Sequence, residues 1–418
     1  MTIAVVTGIG CVTPVGIGSA SLSKALRSGT SGTALVSRMD REPYRCQVAA
    51  EVLDFDPRDY MPLREARWSP RVVQFAIAAS RLAMADAGLL EWDDPSRVGV
   101  LIGSSVGPSV YNFEQFSVFI ERGVRRMHPS FPAQAHNGVI ASECAIQLNV
   151  HGPVMSVSSA CTSGADAIGL GRAMIMSGSA DIVLAGGAEA PICPLLFAAF
   201  DRLAMMPSGF NDRPEAASRP FSADREGFVL GEGAAVVVIE ALDHALARGA
   251  SPIAIVAGYS ATCDAHAHFS HDEGGADAER AILASLSMAG VTPAAVQYVN
   301  AHGSATVQND SFETRILHRV LGARAACVPV SSSKSMFGHL LGASGAVELA
   351  ATLIGMKEGF VPPTINLDVP DESCDLDYVP NVARPSQVEV ALSTSFGFGS
   401  RNAALVVKRW RDDEPVRN

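Results

Sequence analysis

Short runs of β-branched and other apolar residues alternate along this chain with longer stretches in which apolar positions recur at helical spacing. The short runs predict strands at Ile3–Thr7, Val98–Ile102, Ile182–Ala185, Ala234–Ile239, Ile253–Ala257, Tyr298–Asn300, Val328–Ser331, Val390–Thr394 and Ala404–Val407. The longer stretches predict helices at Ser19–Ser28, Val72–Ala87, Cys161–Ser177, Leu242–Arg248, Ala276–Ala289, Asp310–Leu321 and Ala343–Glu358. Because the strands are continuous apolar runs between helices, we expect an α/β protein with buried sheets.

Two segments of the chain share one pattern. Val157–Cys161 is a serine-rich turn before a helix of small residues, and Val330–Lys334 precedes a second buried helix. This echo favours an internal duplication over a chance likeness of two Gly/Ala-rich segments. We expect an N-terminal half, 1–250, and a C-terminal half, 251–418, divided near Arg248–Pro252. Since no Pro/Ser-rich linker separates the halves, they are expected to pack rigidly.

The composition indicates a large buried interior. Of the 418 residues, 48% are hydrophobic and only 18% are charged, which excludes a disordered chain. The net charge of −11 argues against nucleic acid or an anionic membrane as a partner, so an acidic partner would need a local basic patch. No uninterrupted apolar run approaches the roughly 18 residues that predict a membrane span.

The eight cysteines are spread singly, with no Cys-x-x-Cys pair. This usage fits neither a disulfide framework nor a zinc ribbon, and it suits a reducing compartment. The first residues, Met1–Thr7, have no basic region ahead of their apolar run, so they predict a strand rather than a signal peptide. We therefore expect a cytoplasmic protein.

Cys161 is the cysteine whose surroundings most favour reactivity. The segment after it contains Gly164, Gly169 and Gly171 among alanines and apolar residues, which predicts a helix buried between layers. At the N-terminus of that helix, the dipole and free N–H groups would lower the thiol pKa. An ordinary buried cysteine is the alternative, and the local pattern does not decide between the two.

His302, Lys334 and His339 follow predicted strands in small-residue contexts. The carboxyl ends of strands are where open α/β folds place their sites. A thiol nucleophile needs an activating group, and a carbonyl oxygen that develops charge needs hydrogen-bond donors. The three residues therefore predict a site shared with Cys161, although each histidine alone would more often be a structural hydrogen-bonding residue.

Three other motifs carry weaker predictions. Gly8–Thr13 is like a dinucleotide-binding turn but lacks the third glycine and a clear ribose-binding acid, so we expect no cofactor there. The histidine-rich run His266–Asp272 has no recognised metal-ligand spacing and predicts a polar surface loop. Ser395–Asn402 combines aromatic residues with glycines, as in a gate beside a pocket or in a tight turn.

Five motifs occur in the order found in one known family. They are Ser159–Gly164, Ser218–Phe221 with Asp224–Gly233, Asn300–Ser304, Lys334–His339 and Phe396–Gly399. Together they span nearly the whole chain and resemble the elongating β-ketoacyl-acyl-carrier-protein synthases, including the ketosynthase subunits of type II polyketide systems. The resemblance implies a thiolase-like fold of five αβαβα layers built from two similar halves. It also implies a dimer, either with a second copy or with a chain-length-factor-like homologue.

The activity implied by the resemblance is a decarboxylative Claisen condensation that extends an enzyme-bound acyl chain by two carbons. The substrates would be carried on the phosphopantetheine arm of an acyl carrier protein, with no further cofactor and no metal. Cys161 would accept the acyl chain as the nucleophile. His302 and His339 would bind the malonyl thioester carbonyl and promote decarboxylation, and Lys334 would support them electrostatically.

The resemblance assigns supporting roles as well. Glu313 would be the buried glutamate partner of Lys334, and Asp310 would match the acid before it. The backbone N–H groups of Cys161 and Phe398 would form an oxyanion hole, and Phe398 would also gate access to the thiol. The chain departs from the family where Ser400 replaces a glycine in this gate loop, which would stiffen the gate or change what enters.

Four arginines match family positions that face the carrier protein: Arg64, Arg67, Arg125 and Arg126. A solvated helix face is an equal alternative for them. A further basic position of the family is occupied here by Phe210, so docking would be distributed differently or supplemented by a partner chain.

The catalytic motifs leave the pathway open. Primary fatty-acid elongation and type II polyketide or polyene synthesis use the same chemistry, and Gln308–Asp310 and Asn211–Arg219 favour the polyketide pathway. A different class is a non-condensing chain-length partner, which resembles this family but lacks the cysteine. Thiolases and chalcone-type synthases share the fold with Cys-His-Cys and Cys-His-Asn sites. The second histidine and Lys334 oppose both.

Overall fold

The structure, a computed structural model, describes residues 2–411. Its strands are β1 (Ala4–Thr13), β2 (Gly16–Ile17), β3 (Ala34–Leu35), β4 (Val48–Ala50), β5 (Val98–Gly103), β6 (Val154–Val157), β7 (Ile182–Glu189), β8 (Leu230–Gly231), β9 (Gly233–Ala241), β10 (Ala254–Cys263), β11 (Tyr298–Asn300), β12 (Val330–Ser331), β13 (Phe360–Val361), β14 (Arg384–Pro385), β15 (Val390–Gly397) and β16 (Arg401–Arg409). Its α-helices are α1 (Ser19–Ser28), α2 (Leu63–Ala66), α3 (Arg71–Asp86), α4 (Ser109–Arg122), α5 (Phe131–Gln134), α6 (Val139–Leu148), α7 (Ser163–Met176), α8 (Pro194–Arg202), α9 (Leu242–Ala247), α10 (Ala276–Met288), α11 (Val307–Leu321), α12 (Lys334–Phe337) and α13 (Ser344–Glu358).

Every strand and helix predicted from the sequence is present, with bounds that shift by a few residues. The shift that affects the chemistry is at α7, which begins at Ser163, so Cys161 lies just before the helix rather than in its first turn. The pattern did not predict β6, α4, α6 or α8. β6 and α4 were missed because half-exposed positions break up their apolar runs.

The two halves of the chain have the same sheet topology. In the first half the strand order is β1-β9-β7-β5-β6, and in the second it is β10-β16-β15-β11-β12. In each order the first two pairings are antiparallel and the last two are parallel. β1 joins β10 through Val5↔Ile255 and Val6↔Ala254. The order changes over between α9 and β10, and the division of the chain at residue 250 stays a prediction. Residues 412–418 lie outside the described chain.

The helices complete a five-layered α/β architecture, as the resemblance implied. Helices α3 and α6 cover the sheet of the first half, α10 and α11 cover that of the second, and α7 and α13 lie between the two. Helix α13 is buried at every position from Ser344 to Met356, so its small and apolar side chains face protein on all sides. A Cβ on Gly164 would lie 2.9 Å from the carbonyl oxygen of Gly342, which shows how closely the central layer packs around the start of α7.

The glycines of the first strand have a packing role. A Cβ on Gly10 would lie 1.9 Å from the carbonyl oxygen of Ala79, and one on Gly8 would lie 2.3 Å from that of Ala83. Only glycine lets α3 approach β1 this closely, and both residues are inside a strand rather than in a turn before a helix. Among the described helices, none is long and apolar enough to cross a bilayer.

Candidate active site

The chemistry-bearing residues follow the parallel strands of both halves. Cys161 follows β6, His302 follows β11, and Lys334 and His339 follow β12. β6 and β12 occupy equivalent places in the two halves of the strand order, and residues that follow both strands meet at one cavity. Cys161, His302 and His339 line a single cavity of about 70 Å³, together with Phe398 from the turn between β15 and β16.

The turn before α7 presents the thiol. Ala160 has φ of 56°, a left-handed conformation that is uncommon for a residue with a side chain. The N–H of Phe398 donates a hydrogen bond to Sγ of Cys161. Gly397 packs so closely on this turn that a Cβ there would lie 3.1 Å from the Cys161 nitrogen. The two N–H groups expected to form an oxyanion hole therefore lie beside the same sulfur.

The expected lowering of the thiol pKa is wrong for this structure. Cys161 is 6% exposed, and burial raises the pKa of its thiol to about 11. The positive charge of Lys334 and the N–H of Phe398 oppose this shift without cancelling it. The sequence argument considered the helix N-terminus and omitted the loss of solvent, which here has the larger effect. The resting thiol is therefore protonated at neutral pH.

The two imidazoles lie edge to face, with ring centroids 5.4 Å apart. Burial, and next the charge of Lys334, hold the pKa of both His302 and His339 well below the usual value. Nδ1 of His339 accepts a hydrogen bond from the N–H of Leu341 at 3.1 Å, so the proton of the neutral ring is on Nε2. Nδ1 of His302 lies 3.4 Å from Nζ of Lys334, which can only donate, so this ring also carries its proton on Nε2.

Lys334 is the cation of the site, and its carboxylate partner is Glu348. The Lys334 ammonium forms a short ion pair with Glu348, and both side chains are at most 1% exposed. Nζ also donates to the carbonyl oxygen of His302 at 2.5 Å. The expectation that Glu313 is the partner of Lys334 is therefore wrong. Glu348 is the one acidic residue in the buried part of α13, and that isolation was a usable signal in the sequence.

Glu313 instead holds the backbone of the histidine loop. Its carboxylate accepts hydrogen bonds from the N–H groups of His302 and Gly303, both at 2.8 Å, and from the hydroxyl of Thr394 at 2.7 Å. Burial raises its pKa to about 7. Glu313 thus fixes His302 through its backbone N–H, whereas Lys334 contacts the ring nitrogen and the carbonyl oxygen of the same residue.

Asp310 also has a structural environment. Its carboxylate accepts the N–H of Phe221 at 2.8 Å and lies 3.6 Å from the guanidinium of Arg225. Both charged side chains are buried, and burial raises the pKa of Asp310. These contacts tie the first turn of α11 to the segment before β8.

Two loops close the cavity over the thiol. The ring of Phe398 packs edge-on against Phe269, with centroids 5.2 Å apart. The hydroxyl of Ser400 accepts the N–H groups of His266 and Ala267 at 3.2 and 3.0 Å and donates to the carbonyl oxygen of Ala267 at 2.8 Å. Ser400 thus connects the turn between β15 and β16 to the loop that contains His266 and Ala267.

The run His266–Asp272 is more than the polar surface loop predicted from its composition. Phe269 and His271 both line the cavity that contains Cys161. The ring of His271 stacks on Phe312, with centroids 4.6 Å apart. Within residues 2–411, no group of three or more His, Cys, Asp or Glu side chains is arranged to hold a metal ion.

The four predicted docking arginines are exposed and come from two neighbouring segments. Arg64 and Arg67 lie on and just after α2, and Arg125 and Arg126 belong to a 3-10 turn, Val124–Arg126. The rings of Trp68 and His128 meet edge to face with centroids 4.5 Å apart, which brings the two segments together. This contact places two pairs of exposed arginines, here called the arginine patch, on neighbouring segments of a chain whose net charge is −11.

Comparison with known proteins shows the family to which the chain belongs. The model of the β-ketoacyl synthase N-terminal domain matches residues 2–245, and that of the C-terminal domain matches residues 253–368. The chain is 40% identical over 408 residues to a 3-oxoacyl-[acyl-carrier-protein] synthase 2 of Synechocystis sp., covering 97% of this chain and 98% of that protein. It is 42% identical over 413 residues to the tetracenomycin polyketide synthase ketoacyl synthase alpha subunit of Streptomyces glaucescens, covering 97% and 96%.

Solved structures give the same result. The chain superposes with a TM-score of 0.90 and 32% identity on a type II polyketide synthase structure of an acyl-carrier protein in complex with its ketosynthase, covering 98% of this chain and all of that one. With the ishigamide ketosynthase/chain length factor the TM-score is 0.91 and the identity 33%, again covering 98% of this chain. The chain belongs to the β-ketoacyl synthase family, which makes it a condensing enzyme of the acyltransferase class with the thiolase fold.

Proposed function

We propose that this enzyme extends a carrier-bound acyl chain by two carbons, with Cys161 as nucleophile and His302 and His339 as the donors that stabilise the malonyl-derived enolate. The observation that carries these roles is that Nδ1 of each imidazole faces a donor, which in the neutral rings leaves the proton on Nε2. Both rings line the cavity that contains the thiol. A pair of neutral donors is what an enolate oxygen needs.

The first half-reaction is a transthioesterification. Sγ of Cys161 attacks the thioester carbonyl of the acyl carrier, a new S–C bond forms, the old S–C bond breaks, and the thiol proton passes to the departing phosphopantetheine sulfur. The N–H groups of Cys161 and Phe398 would stabilise the oxyanion of the tetrahedral intermediate. Because the resting thiol is protonated, the thiolate that attacks is a minor species, and the proton that Cys161 gives up is the one that the departing sulfur takes up.

The second half-reaction forms the carbon–carbon bond. The malonyl carboxylate leaves as CO₂, and the electron pair of the broken bond enters the thioester carbonyl as an enolate. Nε2–H of His302 and of His339 would donate to the enolate oxygen. The enolate carbon then attacks the Cys161 thioester, the S–C bond breaks, and the released thiolate takes a proton from solvent. Acyl transfer before condensation predicts ping-pong kinetics.

The carrier protein is proposed to dock on the arginine patch. Its charge would complement an acidic partner, and the solved relative bound to an acyl-carrier protein supports this class of partner. The substrates would arrive on a phosphopantetheine arm, so the proposal involves no other cofactor and no metal.

A second protein subunit is proposed to cover helix α4 and the edge strand β6. None of the fourteen residues of α4 is buried, and Phe116, Phe119 and Ile120 are exposed on it. β6 is the last strand of its sheet. A solved relative is a ketosynthase/chain length factor, which supports a heterodimer, and a second copy of this chain is the alternative. Native mass spectrometry of the chain expressed alone separates the two, since a homodimer would form without any partner.

Type II polyketide or polyene synthesis is the proposed pathway. Retention of Cys161 opposes the non-condensing chain-length partner. Relatives near 40% identity include both synthase 2 enzymes and polyketide ketosynthases, so primary fatty-acid elongation is the alternative. Mass spectrometry of carrier-bound products formed with native partners distinguishes them, because reduced chains indicate fatty-acid elongation and poly-keto or polyene chains indicate the proposed pathway.

The catalytic assignment is tested with Cys161→Ala. The variant is expected to take up no acyl group from an acyl-carrier protein and to form no β-ketoacyl product, while its folding is unchanged because the thiol contributes little packing. Intact-protein mass spectrometry after incubation with acyl carrier measures the acylation directly. Condensation by this variant at the parent rate would contradict the assignment.

A further inference from the structure

Asp166 is a buried carboxylate that has no part in the steps proposed above. It organises the turn that carries Cys161. Asp166, in the first turn of α7, is 7% exposed. Its Oδ2 accepts hydrogen bonds from the hydroxyls of Ser159 and of Thr162, the latter at 2.8 Å. Its Oδ1 accepts the hydroxyl of Tyr259 at 2.8 Å. Two of these donors lie on either side of the pair Ala160 and Cys161, and the third reaches the carboxylate from a distant part of the chain.

Tyr259 comes from the other half of the molecule. It lies on β10, the first strand of the second half, and its ring packs on α7 of the first half. The contact is possible because residue 169 is glycine, since a Cβ there would lie 2.2 Å from the Tyr259 ring. The glycine-rich composition of α7 thus has a specific use at this point, where it lets the ring reach over the helix to Asp166.

The turn that Asp166 contacts contains a strained backbone conformation at Ala160. Ala160 has φ of 56°, and such a conformation persists only when its surroundings over-determine it. Within the turn, the Ser163 hydroxyl accepts the N–H of Ser159 at 2.9 Å and donates to the carbonyl oxygen of Ala160 at 2.6 Å. Asp166 fixes the turn from outside at the residues on either side of Ala160 and Cys161.

We propose that Asp166 and Tyr259 are positioning residues for the acylation of Cys161, which they favour by fixing the direction of its Sγ and of its N–H in the oxyanion hole. The proposal rests on the proposed role of Cys161. Neither residue contacts Lys334, His302 or His339 through any hydrogen bond found in residues 2–411, so decarboxylation of the malonyl unit is predicted to be independent of them.

The test separates the two half-reactions. Tyr259→Phe keeps the ring on Gly169 and removes only the hydroxyl, and Asp166→Asn removes the charge that orients three donors. Acylation is measured by quenched mass spectrometry with an acyl carrier. Decarboxylation is measured as CO₂ released from malonyl carrier by enzyme whose Cys161 has been fully alkylated. We expect the acylation rate to fall roughly tenfold or more in each variant, since sub-ångström misplacement of reacting groups costs this much, while decarboxylation is unchanged.

Tyr378→Phe is the matched control. Like that of Tyr259, its hydroxyl bonds to a single side chain, here the buried Thr314 hydroxyl at 2.6 Å, away from the turn that carries Cys161. This variant should leave acylation unchanged. A parallel loss of acylation and decarboxylation in Tyr259→Phe, or an acylation rate equal to that of the parent, would overturn the proposal. Failure of the parent enzyme to acylate Cys161 would instead overturn the proposed function, so the two failures are distinguishable.

Discussion

Substitutions of Lys334 should show that its contribution to folding stability is distinct from its contribution to decarboxylation. In Lys334→Met the carboxylate of Glu348 stays buried in the middle of α13 without its cation. Breaking a buried ion pair from one side costs about 3–5 kcal/mol of folding stability. The deficit should be largest at neutral pH and shrink on acidification, because Glu348 can then take up a proton in the folded state, where burial raises its pKa above that of the unfolded chain.

The double variant Lys334→Met with Glu348→Gln restores electroneutrality and should recover most of this loss, since replacing both members of a buried pair is often nearly neutral. It should not recover decarboxylation. The hydrogen bond that keeps the proton of His302 on Nε2 is absent, and a hydrogen bond to a charged group is worth about 1.5–3 kcal/mol, or roughly 10- to 150-fold in rate.

Urea unfolding followed by circular dichroism measures the stability, and CO₂ release from malonyl carrier measures the chemistry. Unfolding of the double variant at the same urea concentration as the single variant would refute the charge argument. Decarboxylation by the double variant at the parent rate would refute the role given to Lys334 in orienting His302.

Three further predictions concern the thiol, the gate and the docking surface. Alkylation of Cys161 by iodoacetamide, followed at its own peptide, should accelerate about tenfold per pH unit between about pH 7 and 9, because burial raises the thiol pKa to about 11; a plateau near pH 8 would contradict this. Ser400→Ala removes the hydrogen bonds to Ala267, and Ser400→Gly also relieves the positive φ at this position. Both substitutions should therefore speed the reaction of Cys161 with a bulky maleimide, Gly more than Ala. Equal rates in all three proteins would show that the Ser400 hydroxyl does not restrain the Phe398 turn. Arg67→Glu with Arg126→Glu should raise the KM for carrier-bound malonyl substrate and leave that for a small malonyl thioester nearly unchanged; equal effects on both would count against docking.

The fold could be predicted from the sequence because buried strands and buried helices leave distinct patterns of apolar residues. The strands of the two sheets are apolar runs that need no alternation, since helices cover both faces, and the helices between them contain glycine and alanine where the layers approach most closely. The similar serine-rich turns after β6 and β12 indicated the repeat correctly, since the two strands have equivalent places in the strand orders of the two halves. Two of the missed elements, α4 and β6, lie on the exposed side of the molecule, where burial in the single chain does not shape the pattern.

The sequence predicted which residues form the site, but not which carboxylate pairs with Lys334. Cys161, His302, Lys334 and His339 follow strand ends, which a sequence can locate. Which carboxylate meets Lys334 depends on how two helices pack across the central layer, so Glu348 was not distinguishable by motif spacing alone. The thiol pKa was misjudged for a related reason, since desolvation is a property of the assembled layers.

These protonation states explain how so polar a site is accommodated in a dry interior. The thiol and both imidazoles are neutral at rest, and the Lys334–Glu348 pair has no net charge. Burying neutral groups costs far less than burying isolated ions, so the resting enzyme does not depend on a stored charge. Negative charge appears only when substrate reacts, first on the thioester oxyanion and then on the enolate. It develops beside donors that are already in place and near the ammonium of Lys334, where low polarity strengthens each interaction.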